Sequence, residues 1–145
     1  MPAPARRDPY KNFRFVVDID GTRAGFASVS GLAAEAEVIE YREGWDGFTS
    51  PRKLPGRVEY PNVTLRRGIT TDRFLWDWWK GIVTGQVQRR NVQIILLDDD
   101  RNEVLRWLLS EAWIAKIEVS DLDGEGNDVV LESIELAHEG LELVE

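Results

Sequence analysis

The stretch that most constrains the fold runs from Glu40 to Thr70, and its middle has little apolar periodicity. Val38 to Arg42 has the alternation of a strand that leads into it, and Val58 to Ile69 that of a strand that returns. Loops longer than about twelve residues without structure of their own are uncommon in compact domains and are usually functional. The sequence therefore predicts a long protruding loop over Glu43–Gly56.

This loop carries two large apolar side chains, Trp45 and Phe48. A monomer gains nothing by holding such groups in water. We therefore expect the loop to be ordered by packing onto another molecule.

The composition favours one globular domain over the whole chain, 1–145. A hydrophobic fraction of 43% with six Trp is ample for a core, so wholesale disorder is not expected. The absence of cysteine excludes disulfides and thiolate chemistry. No apolar run approaches the roughly 20 residues of a membrane span, so stable membrane insertion is not expected. The first residues lack the apolar core of a secretory signal, and residues 1–9 are predicted to be a flexible arm.

The net charge of −8 is unevenly distributed along the chain. Residues 1–110 hold 17 basic and 15 acidic side chains, whereas residues 111–145 hold one Lys and 11 acidic side chains. A nucleic-acid reader normally shows a basic stripe with interleaved aromatic residues. The acidic C-terminal third would instead repel a phosphate backbone, unless it is simply a solvated face.

Period-two alternation predicts strands on both sides of the loop. The first is Phe13 to Ile19, followed by the hairpin turn Asp20-Gly21 and a return strand from Ala24 to Ser30. Ala36 to Arg42 is the third strand. Within Val58 to Ile69 the apolar parity switches at Pro61, so a bulge or an edge position is expected there.

One helix follows, capped by Thr71 or Asp72 and ended by Gly85. Its apolar face repeats at i, i+3, i+4, i+7 and i+8 up to Val83, and its core residues are Leu75, Trp78, Trp79 and Ile82.

Later segments predict strands over Val92–Leu97, Glu103–Leu108 and Trp113–Val119, and a last strand from Val130 to Glu139. The chain is therefore predicted to be mainly β. We expect a small β-barrel or sandwich of about eight antiparallel strands, with one packed α-helix and the protruding loop.

No catalytic, cofactor-binding or metal-ligating residues are predicted. Asp98-Asp99-Asp100 and the turn Asp121–Asp128 are acidic, but neither has the ligand spacing of a Ca²⁺ loop. His138 is the single histidine and has no Ser or Cys partner pattern. Phosphate loops and zinc motifs are missing. The chain is therefore predicted not to be an enzyme and to need no cofactor.

Seven segments in order from about Asp8 to Leu143 carry a resemblance: DPYKNFRFVVDIDG, GFASVSGL, EYREG, RKLPGRVEYPNVTLRRGIT, LWDWW, RRNVQIILLD and GNDVVLESIELAHEGLE. Together they resemble the tail tube protein of contractile phage tails. They are equally similar to tube subunits of phage-derived extracellular contractile injection systems, and more distantly to the type VI secretion tube protein.

The resemblance implies a structural subunit that forms six-membered rings whose strands join into a barrel around a channel. The rings stack into a tube that a contracting sheath drives through a target envelope. The implied partners are copies of the chain, the sheath protein, the baseplate or spike with its tube-initiator proteins, and cargo or DNA passing through the lumen. The implied location is the cytoplasm of the producing bacterium during assembly, then a phage virion or a phage tail-like particle, including one released from the cell.

The resemblance also implies roles for particular segments. Ala24–Arg42 and Ala112–Leu141 would contribute to the channel wall. The lumen-lining candidates, on the less apolar face of the last strands, are Glu118, Ser133, Glu135 and Glu139. The loop and the N-terminal arm supply the candidates for inter-subunit contact, namely Tyr10, Glu43, Trp45, Asp46, Phe48, Arg52, Lys53 and Leu54.

Two alternatives to the tube subunit remain open. One is a soluble small β-barrel module that binds a ligand in its apolar interior. The other is a tube-initiating subunit at the baseplate. Electron microscopy of the purified protein distinguishes the first alternative from a tube subunit. A binding module stays a dispersed monomer, whereas a tube subunit forms rings or filaments.

Overall fold

The computed structural model describes residues 9–12, 14–42, 44, 51–126 and 129–144. Over these residues the chain forms ten strands and one helix. In order they are β1 (Phe15–Ile19), β2 (Thr22–Ala24), β3 (Ser28–Ser30), β4 (Glu35–Tyr41), β5 (Arg52–Glu59), β6 (Val63–Gly68), α1 (Phe74–Thr84), β7 (Arg90–Leu97), β8 (Glu103–Val119), β9 (Leu131–Ala137) and β10 (Gly140–Val144). The predicted mainly β fold with one helix is confirmed.

Strand β8 is 17 residues long. It belongs to both halves of the eight-stranded main sheet, the half that contains β1 and β7 and the half that contains β6 and β9. Its first part pairs with β7 along one edge and with β10 along the other. The segment from Trp113 to Val119 pairs with β9 instead. Between the two parts Glu111 has a φ of 53°, which is uncommon for a residue other than glycine. This residue marks the point where the strand changes partners.

The main sheet is antiparallel, with the strand order β2-β1-β7-β8-β9-β6-β3 and β10 also paired to β8. The inner faces of its two halves share one hydrophobic core, which helix α1 joins through Leu75 and Trp78. The buried residues of this core are Val17, Ile19, Val63, Leu65, Leu75, Trp78, Val92, Ile94, Leu109, Ala112, Ile114, Ile134 and Leu136. In the described part of the chain β2 and β3 do not pair with each other, so this order does not close into a barrel.

Strands β4 and β5 form a separate two-stranded sheet, called here the hairpin. Tyr41 pairs with Arg52 and Ile39 with Leu54. At the base of the hairpin the chain segments cross closely at Gly31, whose φ is 89°. A Cβ atom there would lie 2.5 Å from the carbonyl oxygen of Asn62, so glycine is needed for this approach.

The predicted loop over Glu43–Gly56 is wrong at its C-terminal end, because Arg52 to Gly56 lie in β5. The sequence hid this strand because Pro55 interrupts it. Proline is tolerated in β5 because the strand has a partner on one side only. The segment Trp45–Ser50 and residue Glu43 lie outside the described residues, as do residues 1–8 of the predicted arm.

Three predicted strands are divided differently in the structure. The predicted strand Val58–Ile69 is two strands in different sheets, with the break around Pro61. The return strand Ala24–Ser30 splits into β2 and β3, at opposite ends of the strand order. The predicted last strand, Val130 to Glu139, ends at Ala137 because the chain bends at His138 and Glu139, and the strand β10 that follows was not predicted. Glu103–Leu108 and Trp113–Val119 are, conversely, parts of the single strand β8. Phe13 of the first predicted strand lies outside the described residues.

The N-cap of helix α1 is Arg73, not Thr71 or Asp72 as predicted, and the Arg73 side chain makes no capping hydrogen bond. Asp72 Oδ1 accepts a hydrogen bond from the Phe74 backbone N–H at 3.0 Å, which satisfies one of the free donors of the first turn. This hydrogen bond holds the pKa of the Asp72 carboxyl below its usual value. Gly85 ends the helix in the left-handed conformation, as predicted.

The helix contacts the core mainly through its first two turns. Leu75 and Trp78 are buried, whereas Trp79 and Ile82 are half-buried. Val83, predicted on the same face, is 71% exposed. The apolar face that covers the core is therefore shorter than the sequence predicts.

A buried ion pair links the helix to the sheet. Arg67 on β6 donates from Nε to Glu132 on β9 at 2.5 Å, and the two residues are only 6% and 2% exposed. The indole N–H of Trp76 donates to the second carboxylate oxygen of Glu132 at 3.0 Å. Asp72 also lies 3.3 Å from Arg67 Nη1. One carboxylate therefore joins β6, β9 and α1.

Removing one partner of this pair is expected to be costly. Glu132→Ala should lower the free energy of unfolding by about 3–5 kcal/mol, because it leaves the buried Arg67 charge with only the exposed carboxylate of Asp72 beside it. Urea unfolding at a concentration that keeps the protein monomeric measures this.

The matched control is Glu139→Ala, since Glu139 pairs with Arg89 on the exposed surface. This control should change the free energy by no more than about 1 kcal/mol. Equal effects of the two substitutions would contradict the assigned role of the buried pair.

Candidate assembly surfaces

The hairpin lies in water on both of its faces. Cross-strand partners share a face, so Val38 and Val58 lie on one face, called here the first face. Ile39, Tyr41 and Leu54 lie on the opposite, second face. Val38 is 62% exposed and Val58 57%, and the three residues of the second face are exposed as well.

An isolated two-stranded hairpin is marginally stable in water. Apolar side chains on both faces make exposure of the hairpin to water still more unfavourable. A single covering surface would bury only one face. The hairpin is therefore suited to lie between two surfaces of other molecules.

Four of the predicted contact residues are described. Arg52, Lys53 and Leu54 lie on β5 of the hairpin, and Tyr10 is exposed near the turn between β7 and β8. Their role in contacts stays a prediction. The other four, Glu43, Trp45, Asp46 and Phe48, lie outside the described residues.

A polar face covers the side of β3, β6, β9 and the second part of β8 that points away from the core. It is called here the polar face and is formed by Ser28, Ser30, Thr64, Arg66, Lys116, Glu118, Ser133 and Glu135. Three of the four lumen-lining candidates therefore lie together. The fourth, Glu139, lies apart at the bend after β9, where it pairs with Arg89 at 3.3 Å.

The charges of the polar face are balanced, in contrast to the acidic face that the last strands alone predict. Lys116 Nζ lies 3.1 Å from the carboxylate of Glu118. Arg66 pairs across strands with Ser133, so it adds a second positive charge beside Glu118 and Glu135. Sequence reasoning missed Arg66 because nothing in the sequence placed β6 beside β9.

Two edges of this part of the sheet lack a strand partner among the described residues. One is the outer edge of β3, and the other is the edge of β8 opposite β9. Ser120 donates its N–H to the carbonyl of Leu131 at 2.8 Å. Because successive residues of a strand point their backbone groups in opposite directions, Ile117 and Val119 direct theirs away from β9. These groups are available to another strand.

An apolar cleft of about 400 Å³ lies between β1, β7, β8 and the chain around β3. Phe15, Leu96 and Trp107 contribute to its walls. The ligand-binding alternative required an apolar interior, but the core between the sheet halves is filled by buried side chains. The cleft is an open depression beside that core.

The residues considered for catalysis and metal binding have structural contacts. His138 has each ring nitrogen 3.1 Å from a carbonyl oxygen, those of Gly140 and Pro61, and it holds the bend after β9 against the base of the hairpin. Asp98 accepts the backbone N–H groups of Asp100 and Asn102 within its turn. In the described ranges, acidic and histidine side chains form no group of three or more suited to a metal ion.

Within the described residues, no helix has the length and the apolar character that crossing a membrane requires.

Open sheet edges together with an exposed apolar hairpin define the class of protein: a subunit built for a larger assembly. Comparisons with solved structures agree with this class. The fold matches a chain of the PVC sheath-tube complex, an extracellular contractile injection system in its extended state, with a TM-score of 0.85 and 29% identity over 94% of this chain and 91% of that one. It also matches a chain of the PVC sheath/tube terminator, with a TM-score of 0.88 and 29% identity over 97% and 100% of the two chains.

A chain of the anti-feeding prophage cap, which terminates the AFP tube, matches with a TM-score of 0.88 and 25% identity over 99% and 95% of the two chains. Hcp1 from Flavobacterium johnsoniae has a TM-score of 0.60 at 13% identity over 90% and 94%, which shows the shared fold alone. Comparison with curated proteins gave no match.

The family is shown by a profile match over residues 11–142, and the chain belongs to the T4-like virus tail tube protein gp19 family. It is a tail tube protein related to those of extracellular contractile injection systems. The family and the matched assemblies are structural, in agreement with the predicted resemblance.

If the hairpin exists for contacts between molecules, its side chains contribute little to the isolated subunit. Leu54→Ala should change the free energy of unfolding by less than about 0.5 kcal/mol, because Leu54 is on the exposed hairpin. Leu65→Ala, the same substitution in the core, should cost about 2–5 kcal/mol.

Both variants are measured by urea unfolding below the concentration at which copies associate. A large loss from Leu54→Ala would mean that the hairpin packs within its own subunit.

Proposed function

We propose that this chain is the subunit of the inner tube of a contractile injection system or contractile tail. Six copies form a ring, the rings stack around a channel, and sheath contraction drives the tube through a target envelope. The observation that carries this proposal is the pair of open edges, on β3 and on the second part of β8, at opposite sides of one four-stranded unit.

These edges suit ring closure. Over the described residues, the terminal strand on each side of the unit β3-β6-β9-β8 has one edge without a strand partner. Exposed strand edges invite pairing with other chains. When the β8 edge of one copy pairs with the β3 edge of the next, a closing rotation removes every edge of this kind. The number six comes from the resemblance to the family, not from the geometry of one subunit.

The polar face suits the wall of the channel. It consists of hydroxyl groups and balanced charges, with Arg66 and Lys116 beside Glu118 and Glu135. A face without large apolar groups or a strong net charge offers little to which passing cargo or DNA could adhere. Glu139 is left out of this face by its pairing with Arg89.

The partners follow from the assembled tube. They are neighbouring copies, the sheath protein, and the baseplate or spike proteins with the tube initiator. We further propose that the subunit acts without catalysis and assembles in the cytoplasm of the producing bacterium, before the particle is used or released. A tube-initiating role is not favoured by any contact described above.

A proline on the open edge of β8 tests ring closure directly. Ile117→Pro removes a backbone donor that points away from β9, a position at which an edge strand tolerates proline. The variant should fold but form no rings in negative-stain electron microscopy.

The matched control is Ile117→Ala, which loses the same side-chain packing but keeps the N–H group. It should still form rings. Rings of normal size from Ile117→Pro would contradict pairing through this edge.

Charge reversal tests whether the polar face lines the channel. Replacing Glu118 and Glu135 together by Lys should leave rings and tubes intact, since side chains that line water make no essential contact. The inner surface should then stain or bind polyanions differently. Loss of assembly in the same microscopy assay would place these residues in a contact between copies.

A further inference from the structure

The two halves of the main sheet cross over the core, and the core has an end on each side of the crossing. Trp107, on the first part of β8, lines the same cleft as Val29 on β3. The second part of β8 lies at the other side of the unit β3-β6-β9-β8. Strand β8 therefore runs from one side of the core to the other. The side beside the second part of β8 is called here the helix flank, and the side beside β3 the open flank.

Helix α1 covers the helix flank. The indole N–H of Trp76 donates to Glu132 at 3.0 Å, and Glu132 pairs with Val119 at the end of β8. On the other half of the sheet, the guanidinium carbon of Arg90 on β7 lies 5.2 Å from the centre of the Phe74 ring. The helix therefore bridges the two halves beside the free edge of β8.

The open flank holds the apolar cleft, which no helix covers in the part of the chain that the structure describes. Phe15, Leu96 and Trp107 contribute to one wall, and Val29 and Leu32 belong to the chain around β3 on the other. All five side chains are half-buried. An apolar cleft of about 400 Å³ beside an unpaired strand edge is unfavourable to leave in water and marks a place where another molecule packs.

One row of paired residues connects the two flanks. Val29 pairs with Leu65. Leu65 in turn pairs with Ile134, which pairs with Ile117. The row thus ends at Val29 on the open flank and at Ile117 on the helix flank. When the β8 edge of one copy pairs with the β3 edge of the next, the helix flank of the first copy faces the open flank of the second.

Helix α1 has an apolar stripe at this junction. Trp76, Trp79 and Val83 are three and four residues apart and therefore share one side of the helix, called here the helix stripe. Trp76 is 38% exposed and Val83 71%, and Trp79 is half-buried. Since Trp76 reaches Glu132, opposite the end of β8, the stripe begins beside the free edge of that strand. The helix stripe is thus an apolar surface on the flank that the next copy meets.

We propose that the helix stripe of one copy packs into the cleft of the next copy in the same ring. Trp79 and Val83 lie against Leu96 and Trp107 of that copy, behind the layer of paired strands. The stripe and the cleft are different surfaces on opposite flanks, so each copy offers one and receives the other, as a closed ring requires. This inference rests on the proposed ring and adds a second, apolar contact to its hydrogen-bonded junction.

Cross-linking in assembled rings tests the contact. The chain has no cysteine, so Val83→Cys combined with Leu96→Cys introduces the only two thiols. A short bismaleimide should convert these rings into a ladder of covalent oligomers on a denaturing gel. The matched control, Asp77→Cys with Leu96→Cys, has an exposed thiol on the same helix but outside the stripe, and it should stay monomeric.

A charge introduced into the stripe provides an independent readout. Val83→Glu should raise the subunit concentration at which half of the chains are in rings by about tenfold or more, because the contact would bury an unpaired carboxylate. Sedimentation measures this concentration. The isolated variant should unfold at the same urea concentration as the wild type, since Val83 is exposed there. The control Val38→Glu makes the same change on the exposed hairpin and should leave ring formation unaltered.

The outcomes separate this inference from the proposed function. A wild-type chain that forms no rings overturns the proposed function, and the inference with it. Wild-type rings without a ladder from the Val83 pair overturn the inference alone, and so does a ladder of equal yield from the Asp77 pair. Rings that tolerate Val83→Glu have the same consequence, and if Val38→Glu prevents those rings, the hairpin of another copy occupies the cleft.

Discussion

The fold depends on one strand that serves two sets of partners. Strand β8 runs for 17 residues, and its first part completes the half of the sheet that contains β7 and β1. Its second part begins the half that contains β9 and β6. The positive φ of Glu111 lies at the change of partners. Because both halves of the sheet contain β8, their inner faces meet in a single core. Helix α1 closes that core through Leu75 and Trp78.

In a single copy, the same arrangement leaves strand edges and apolar side chains exposed to water. Backbone groups of Ile117 and Val119 point away from β9, and the hairpin keeps apolar side chains in water on both faces. Hydrophobic burial and strand pairing would each be favourable if other copies supplied the missing surfaces. The stability of the subunit comes from its core, whereas the hairpin and the edges contribute once copies associate.

Alternation and helical repeats in the sequence predicted the elements that have one face on the core and the other in water. The alternation around Val17 and Ile19 predicted β1, and the repeat from Leu75 to Trp78 predicted α1, because one face of each meets the core. The first part of strand β5, Arg52 to Gly56, was predicted as loop because both faces of the strand lie in water and Pro55 interrupts it, so no alternation could arise. The unity of β8 was missed because Ser110 and Glu111 have the composition of a turn.

The candidate surfaces were predictable only in part, for a related reason. Glu118, Ser133 and Glu135 share a face because they lie on β8 and β9, which pair and follow each other in the sequence. Arg66 joins them through pairing between distant segments, and Glu139 leaves them because the chain bends before it. Long-range pairing and bends are set by the tertiary structure, so a strand-by-strand interpretation could not place either residue.

We infer that copies of the chain complete the hydrogen bonding of each other's sheets. Amide hydrogen exchange at Ile117 and Val119, compared between dispersed subunits and assembled tubes, tests it most directly. We expect rapid exchange at both amides in the dispersed subunit and strong protection in the tube, while the amide of Ser120 is protected in both states. Equally rapid exchange at Ile117 and Val119 in assembled tubes would contradict the account.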